Sequence, residues 1–346
     1  MKAVITKNPG IISYEDVHLR RLEPQEVLID VKATGICSTD YQRMFEGKSY
    51  TYPMIFGHEF SGIVAEKGSE VNNIECGARC VAVPLIPCFR CKYCLGGRYS
   101  LCDKYDYIGS RTSGSFAEFV IVPSKNIIKI SKNIEFEIAA FAEPCAVAMH
   151  GLMKILTGEE KILIFGAGTM GLILAQLSKL LGASQVYITD VEKSKIIVAD
   201  KLGIKNFYFD RCNGRNILKE LKMMAFDLIL ESTGSTEGLI NAITIVKKGG
   251  KLLNLSLYNN HVELDPILIN KITREEIEIK GSWNSYSSPF PGKEWFMALE
   301  FIEKKLLKLK PLITHRLEFK NAETNLPIIY FKNRNKLIKA MFLNDN

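Results

Sequence analysis

Up to about residue 140, apolar and polar positions alternate in short runs: KAVITK, EVLIDVKATG, FSGIVAEKG, RCVAVP and FAEFVIVP. A period of two sends successive side chains to opposite faces of a strand, and Gly, Pro or Asn flanks most of the runs. This half is expected to be an all-β barrel. Near residue 147 the period changes. KILIFGAGTMGLILAQLSKLLGA reads as a strand, a glycine turn and an apolar helix ending near Gly182, and QVYITD is the next strand. There follow a helix over about 192–202, the strand FYF, a helix over 215–224, DLILEST, a helix over 237–247, KLLNLSL and EIEIKGS. Six strands alternating with helices predict a doubly wound parallel sheet. From about Asn284 the pattern breaks into SYSSPFPG, then an amphipathic helix EWFMALEFIEKKLL, and the tail is expected to return to the first half. The fold class is therefore α/β in two domains, residues 1–146 with 285–346 forming the barrel and 147–284 the doubly wound sheet.

Composition narrows the function classes without choosing one. The 346 residues are 47% hydrophobic and 24% charged, values of an ordinary globular protein. No apolar run is long enough for a membrane helix, and the N-terminus lacks a secretory core, so the reading is cytoplasmic with no membrane partner. The formal charge of +7 is spread along the chain. No basic stripe points to nucleic acid, and the surplus suits a small anionic substrate.

The glycine turn carries a specific signal because of its context. Gly166, Gly168 and Gly171 directly follow the strand KILIF and open a helix. The first permits a tight turn, the second lets a pyrophosphate approach the backbone, and the third lets helix and sheet pack closely. Asp190 ends the next strand, 19 residues after Gly171, where a carboxylate accepts from ribose hydroxyls and repels a 2′-phosphate. NAD is thus expected over NADP, with Lys195 beside the same ribose.

Nine cysteines are an odd number, and four of them crowd into residues 88–102. Cys88, Cys91, Cys94 and Cys102 follow C-x2-C-x2-C-x7-C, a set that closes a tetrahedral zinc shell and leaves no position for substrate. This lobe is expected to be structural. Cys76, Cys80, Cys145 and Cys212 are read as buried thiols. A second, open zinc has candidate ligands in Cys37 of GICSTD, His58 and Glu59 of GHEF, and Glu143 of AFAEP, leaving one position for water or a substrate hydroxyl.

GHEFSG, the cysteine lobe, FAEP and GAGTMG, in this order and spacing, resemble the zinc-dependent medium-chain alcohol and polyol dehydrogenases along essentially the whole chain. VPLIPCFRCKYC, YDYIGSR, GSWNSYSSPFPGKEW and LKPLITHR resemble the polyol-phosphate branch of that family. The resemblance implies a GroES-like barrel beside a Rossmann domain, and two zinc ions per subunit. It implies a catalytic zinc held by Cys37, His58 and Glu143, with Glu59 either exchanging into the shell or hydrogen-bonding beside it. It further implies that Asp40 holds the His58 ring and that Thr39 takes the substrate proton. Gln42 stands where many members carry a histidine, which leaves the last proton step to water. Arg43, Asn284, Ser285 and Lys293 are the candidate contacts to a phosphorylated polyol. A homodimer or homotetramer is implied, with strands near 252–257 and 276–282 available for pairing between subunits. The alternatives are another polyol or polyol phosphate (sorbitol, ribitol 5-phosphate, arabinitol phosphate), threonine and, from a different class, a zinc-finger protein that binds nucleic acid.

Overall fold

The computed structural model describes residues 1–208 and 214–344; Cys212 lies outside them. The chain divides into two units, Met1–Ala146 with Tyr286–Asn346, and Val147–Ser285. Ser285, expected in the first domain, clusters with the second.

The strand Glu26–Ile36 organises the first unit. It pairs antiparallel with Glu59–Lys67, Phe119–Pro123 and Lys339–Leu343. Val27, Ile29 and Val31, two residues apart, enter one core with Phe60, Val64, Val120 and Val122. Each such side chain, fully buried, contributes roughly 1.5–3 kcal/mol. The other end of the strand turns Ile36 into a second core with Phe56, Phe116 and Phe342. Here the tail meets the barrel: Ile313–Leu317 and Lys339–Leu343 form one side of the seven-stranded sheet. The half is not purely β, because the helix Ser38–Phe45 begins where Glu26–Ile36 ends. Cys37 is its N-cap, and its backbone N–H donates to Asp40 Oδ2 at 3.0 Å. Ile11–Asp16 and Ile127–Lys129 are further strands whose short runs escape a period-of-two reading.

The second unit holds six parallel strands in the order Lys205–Tyr208, Gln185–Asp190, Lys161–Phe165, Leu228–Glu231, Lys251–Asn254, Glu278–Gly281. The chain starts at the third of these, steps outward to one edge and then to the other, so the reversal falls beside Lys161–Phe165. Two expectations need correction. A helix, Pro266–Arg274, precedes the last strand; its start is marked by Asp265, whose side chain accepts from Ile267 N, and by a proline at the first position. Lys251–Asn254 is paired on both sides, so it has no backbone groups left for another subunit. Glu278–Gly281 alone of the two proposed pairing strands stands at the sheet edge. Among the described residues no helix is long and apolar enough to cross a membrane.

Candidate metal centres and dinucleotide turn

The four cysteines of the lobe come together over a short stretch of chain. Cys91 caps the helix Lys92–Leu95, which places Cys94 on its inner side, and the turn Tyr99–Leu101 returns the chain at Cys102. Cys88 and Cys94 sulfurs lie 3.9 Å apart, Cys91 and Cys102 sulfurs 4.0 Å apart. Zinc–sulfur bonds of ~2.3 Å make a tetrahedron with edges of about 3.8 Å, so the four thiols fit one ion. Backbone N–H groups of Cys94 and Asp103 bring Cys91 down to about 6, favouring the ligating thiolate. The remaining thiols divide: Cys80 and Cys145 are buried as expected, but Cys76 is exposed. Cys76 lies just before the turn at Gly77, outside the sheet that covers Cys80.

The second group draws on distant segments. Ligand atoms of Cys37, His58 and Glu59 all lie within 4.8 Å of one another. Cys37 follows the end of one strand, His58 immediately precedes its partner and Glu59 begins it, with Gly35 opposite Glu59. A Cβ at position 35 would stand 2.4 Å from Glu59 Oε2, so the glycine leaves room for that carboxylate. Asp40, fully buried, lies 3.3 Å from His58 Nδ1 and accepts from Arg43 Nη1 at 3.2 Å. Burial opposes the charge on His58, but Asp40 and then Cys37 hold its ring well above the ordinary histidine value. Thr39 Oγ1 donates to Cys37 Sγ at 3.2 Å and accepts from Arg43 at 3.4 Å.

Glu143 stands outside this three-residue group. It sits in the first turn of the helix Ala142–Met153 and accepts from Tyr107 Oη at 3.3 Å. Burial, opposed by His58 and reinforced by Glu59, pushes its carboxyl up to about 7. The Tyr107 ring lies 5.7 Å from that of His58. A sulfur, an imidazole and two buried carboxyls in one neighbourhood are a donor set for a divalent cation, whose charge would offset the crowding of acids.

Sequence reasoning missed Lys339. Its Nζ donates to Glu59 Oε2 at 2.5 Å, with both side chains almost fully buried. The available signal was a lysine opening the apolar strand KAMFL. Arg43, a candidate substrate contact, lies inside the helix Ser38–Phe45 and is tied to Asp40. Lys293 is exposed in the first turn of Lys293–Glu303. In the second unit Asn284 has φ +54° and Ser285 is buried.

The residues expected to hold a dinucleotide gather at the sheet's reversal. Gly166 N donates to Thr189 O at 2.8 Å, which sets the turn beside the end of the neighbouring strand. A Cβ on Gly171 would fall 1.8 Å from Gly166 O, whereas around Gly168 there is open space within 4 Å. The third glycine is thus demanded by packing, and the second leaves a cradle beside the N-terminus of Thr169–Leu180. Asp190 accepts from Ala167 N at 2.7 Å and from Glu192 N at 2.8 Å, so its carboxylate is fixed at the turn. Lys195, half-buried, lies in the helix Lys193–Lys201.

Residues 23–132 match the alcohol dehydrogenase GroES-like domain, and residues 169–304 match the zinc-binding dehydrogenase family. The chain belongs to the zinc-binding alcohol dehydrogenases. Galactitol 1-phosphate 5-dehydrogenase of Escherichia coli K12 is 35% identical over 325 residues, 93% of this chain and 94% of that protein. L-Threonine 3-dehydrogenase of Rhizobium etli is 31% identical over 349 residues, 98% of each. The crystal structure of galactitol-1-phosphate dehydrogenase from Escherichia coli superposes with a TM-score of 0.93 at 33% identity, covering 99% of this chain and 100% of that one. As a member of this family the chain is an oxidoreductase acting on CH–OH groups of a small molecule, built on a GroES-like and a Rossmann domain, with zinc and a nicotinamide dinucleotide as cofactors.

Proposed function

We propose that this dehydrogenase oxidises a polyol phosphate, specifically galactitol 1-phosphate at C5 to tagatose 6-phosphate, with NAD, in the cytoplasm and as a homodimer or homotetramer. The observation that carries the reading is the meeting of half-buried Cys37 with buried His58 and Glu59 in a chain 35% identical to a galactitol 1-phosphate 5-dehydrogenase. Bound zinc supplies Lewis acidity that makes the alcohol proton easier to lose near neutral pH, and bound NAD supplies the hydride acceptor.

The chain's own residues do the rest. Cys37 and His58 are the fixed ligands, and Glu143 and Glu59 are the two carboxyls able to alternate as the third. Asp40 orients the imidazole and holds its tautomer. Lys339 neutralises Glu59 and restrains it at the edge of the shell. Thr39 Oγ1 accepts the alcohol proton while its own proton leaves toward water, since Gln42 has no titrating group. Gly166, Gly168 and Gly171 seat the pyrophosphate. Asp190 accepts from the adenosine ribose and disfavours a 2′-phosphate, and Lys195 stands by the same sugar. Asn284 and Ser285 are the proposed contacts to the polyol hydroxyls, and Arg43 and Lys293 the proposed cationic contacts to its phosphate.

A panel of galactitol 1-phosphate, galactitol, sorbitol, ribitol 5-phosphate, arabinitol phosphate and threonine, each with NAD and NADP and followed by reduced-cofactor absorbance, tests this reading. Galactitol 1-phosphate with NAD is expected to give the highest kcat/KM. Fastest turnover of threonine or of an unphosphorylated polyol would overturn it.

A further inference from the structure

We propose that Arg111, clamped between Tyr50 and Tyr105 on the loop that follows Tyr107, is the principal receptor for the phosphate of the substrate, with Arg43 as its inner neighbour. The proposal rests on the reading that the substrate is a polyol phosphate. It assigns a residue to a task that Arg43 and Lys293 do not account for alone.

The guanidinium carbon of Arg111 lies 4.5 Å from the Tyr50 ring centre and 4.2 Å from that of Tyr105. Nη1 donates to Tyr105 O at 3.3 Å, and the backbone N–H donates to Tyr107 O at 2.9 Å. The plane of the side chain is therefore fixed by two aromatic rings, and its base by the loop. Among the described residues its partners are the two tyrosines and a backbone carbonyl rather than a carboxylate. An exposed arginine usually pairs with an acid or sweeps through solvent. This one is held in place with its charge unspent, which is what a preorganised anion site requires. Planar N–H forks match phosphate oxygens two at a time.

Its place along the loop links it to the metal centre. Tyr107, four residues earlier, donates to Glu143 and packs by His58. On the other side Arg43 is bonded to Thr39 and Asp40. The Tyr50 phenol lies under both charges: its hydrogen bond to Arg111 chiefly, and Arg43 to a lesser extent, hold it below the usual tyrosine value. Arg43, already paired with Asp40 in the helix after Cys37, and the exposed Arg111 both bear on Tyr50. In galactitol 1-phosphate the phosphate stands four carbons from the oxidised carbon, so its receptor belongs away from the metal ligands, where Arg111 rather than Arg43 is exposed. Lys293 is by contrast an exposed point charge on a flexible stem.

The test compares kcat/KM for galactitol 1-phosphate and for galactitol in the wild-type holoenzyme, Arg111→Met, Arg111→Lys and Lys293→Met, with inorganic phosphate as a competitive inhibitor. In Arg111→Met the phosphate-to-free ratio is expected to fall at least roughly tenfold through KM, with the inhibition constant of phosphate rising alongside. Arg111→Lys is expected to recover only part of the ratio, since an ammonium cannot stack or bind two oxygens at once. A wild-type ratio and wild-type phosphate inhibition in both Arg111 variants would overturn the proposal, as would a loss seen only in Lys293→Met. If the wild-type enzyme itself shows no preference for the phosphate ester, the polyol-phosphate reading falls. A preference that survives Arg111→Met removes this receptor alone.

Discussion

The chain gathers candidate metal ligands in two places, by opposite means. In the lobe, four sulfurs come from residues 88–102, brought together by a one-turn helix and a tight turn. At the other centre a strand end, the start of its partner strand, a helix beginning at Ala142 and a strand beginning at Lys339 each add a group. The first is nearly independent of the surrounding fold; the second exists only when the barrel has closed. A local, all-sulfur set closes its ion in and can only hold structure. A set assembled from afar, mixed in chemistry and surrounded by buried acids and a buried lysine, can keep a vacancy and place a hydroxyl beside it.

Breaking each centre in turn separates these roles. Cys37→Ala is expected to lower kcat by at least ~10^4-fold and to remove one zinc per chain, while circular dichroism and melting temperature stay close to wild type. Retained turnover would erase the distinction. Cys91→Ala should do the reverse: melting temperature falls by roughly 10 °C and soluble yield drops, but the protein that folds keeps kcat within about tenfold. Lys339→Met sharpens the contrast, because the lobe has no counterpart to this lysine. It leaves Glu59 as an uncompensated buried charge, at a cost of ~3–5 kcal/mol in denaturant unfolding, and Glu59→Gln in the same chain should return much of it. The smallest effect is expected at the glycine turn of the second unit. Asp190→Ala removes the acceptor fixed at the glycine turn, raising KM for NAD roughly tenfold with kcat little changed and narrowing the preference over NADP.

The same contrast explains what could be read from the sequence. The lobe was legible because its geometry is written in spacing alone, and the parallel sheet because most of its strands are short apolar runs beside a helix. The glycine turn was legible from its position after KILIF. Cys37, His58 and Glu59 were legible as residue types, but their approach depends on register across Glu26–Ile36 and Glu59–Lys67, which no local pattern encodes. Lys339 lies 280 residues from its partner and was not seen. Arg43 could be named as a cation from the sequence, but not its partner: in the fold it pairs with Asp40. Strand pairing likewise decided against Lys251–Asn254 as a subunit edge, since an interior strand and an edge strand look alike until their neighbours are known.

The central claim is that one metal site is closed by four sulfurs while the other is bound by a single sulfur with nitrogen and oxygen. Zinc K-edge X-ray absorption of the purified holoenzyme, paired with its zinc content, tests this most directly. Five thiolates shared by two ions give an average of ~2.5 sulfurs at ~2.3 Å per zinc in the wild type, and Cys37→Ala should show about four sulfurs around a single remaining zinc. An average of four sulfurs in the wild type, or two zinc ions retained in Cys37→Ala, would contradict the account.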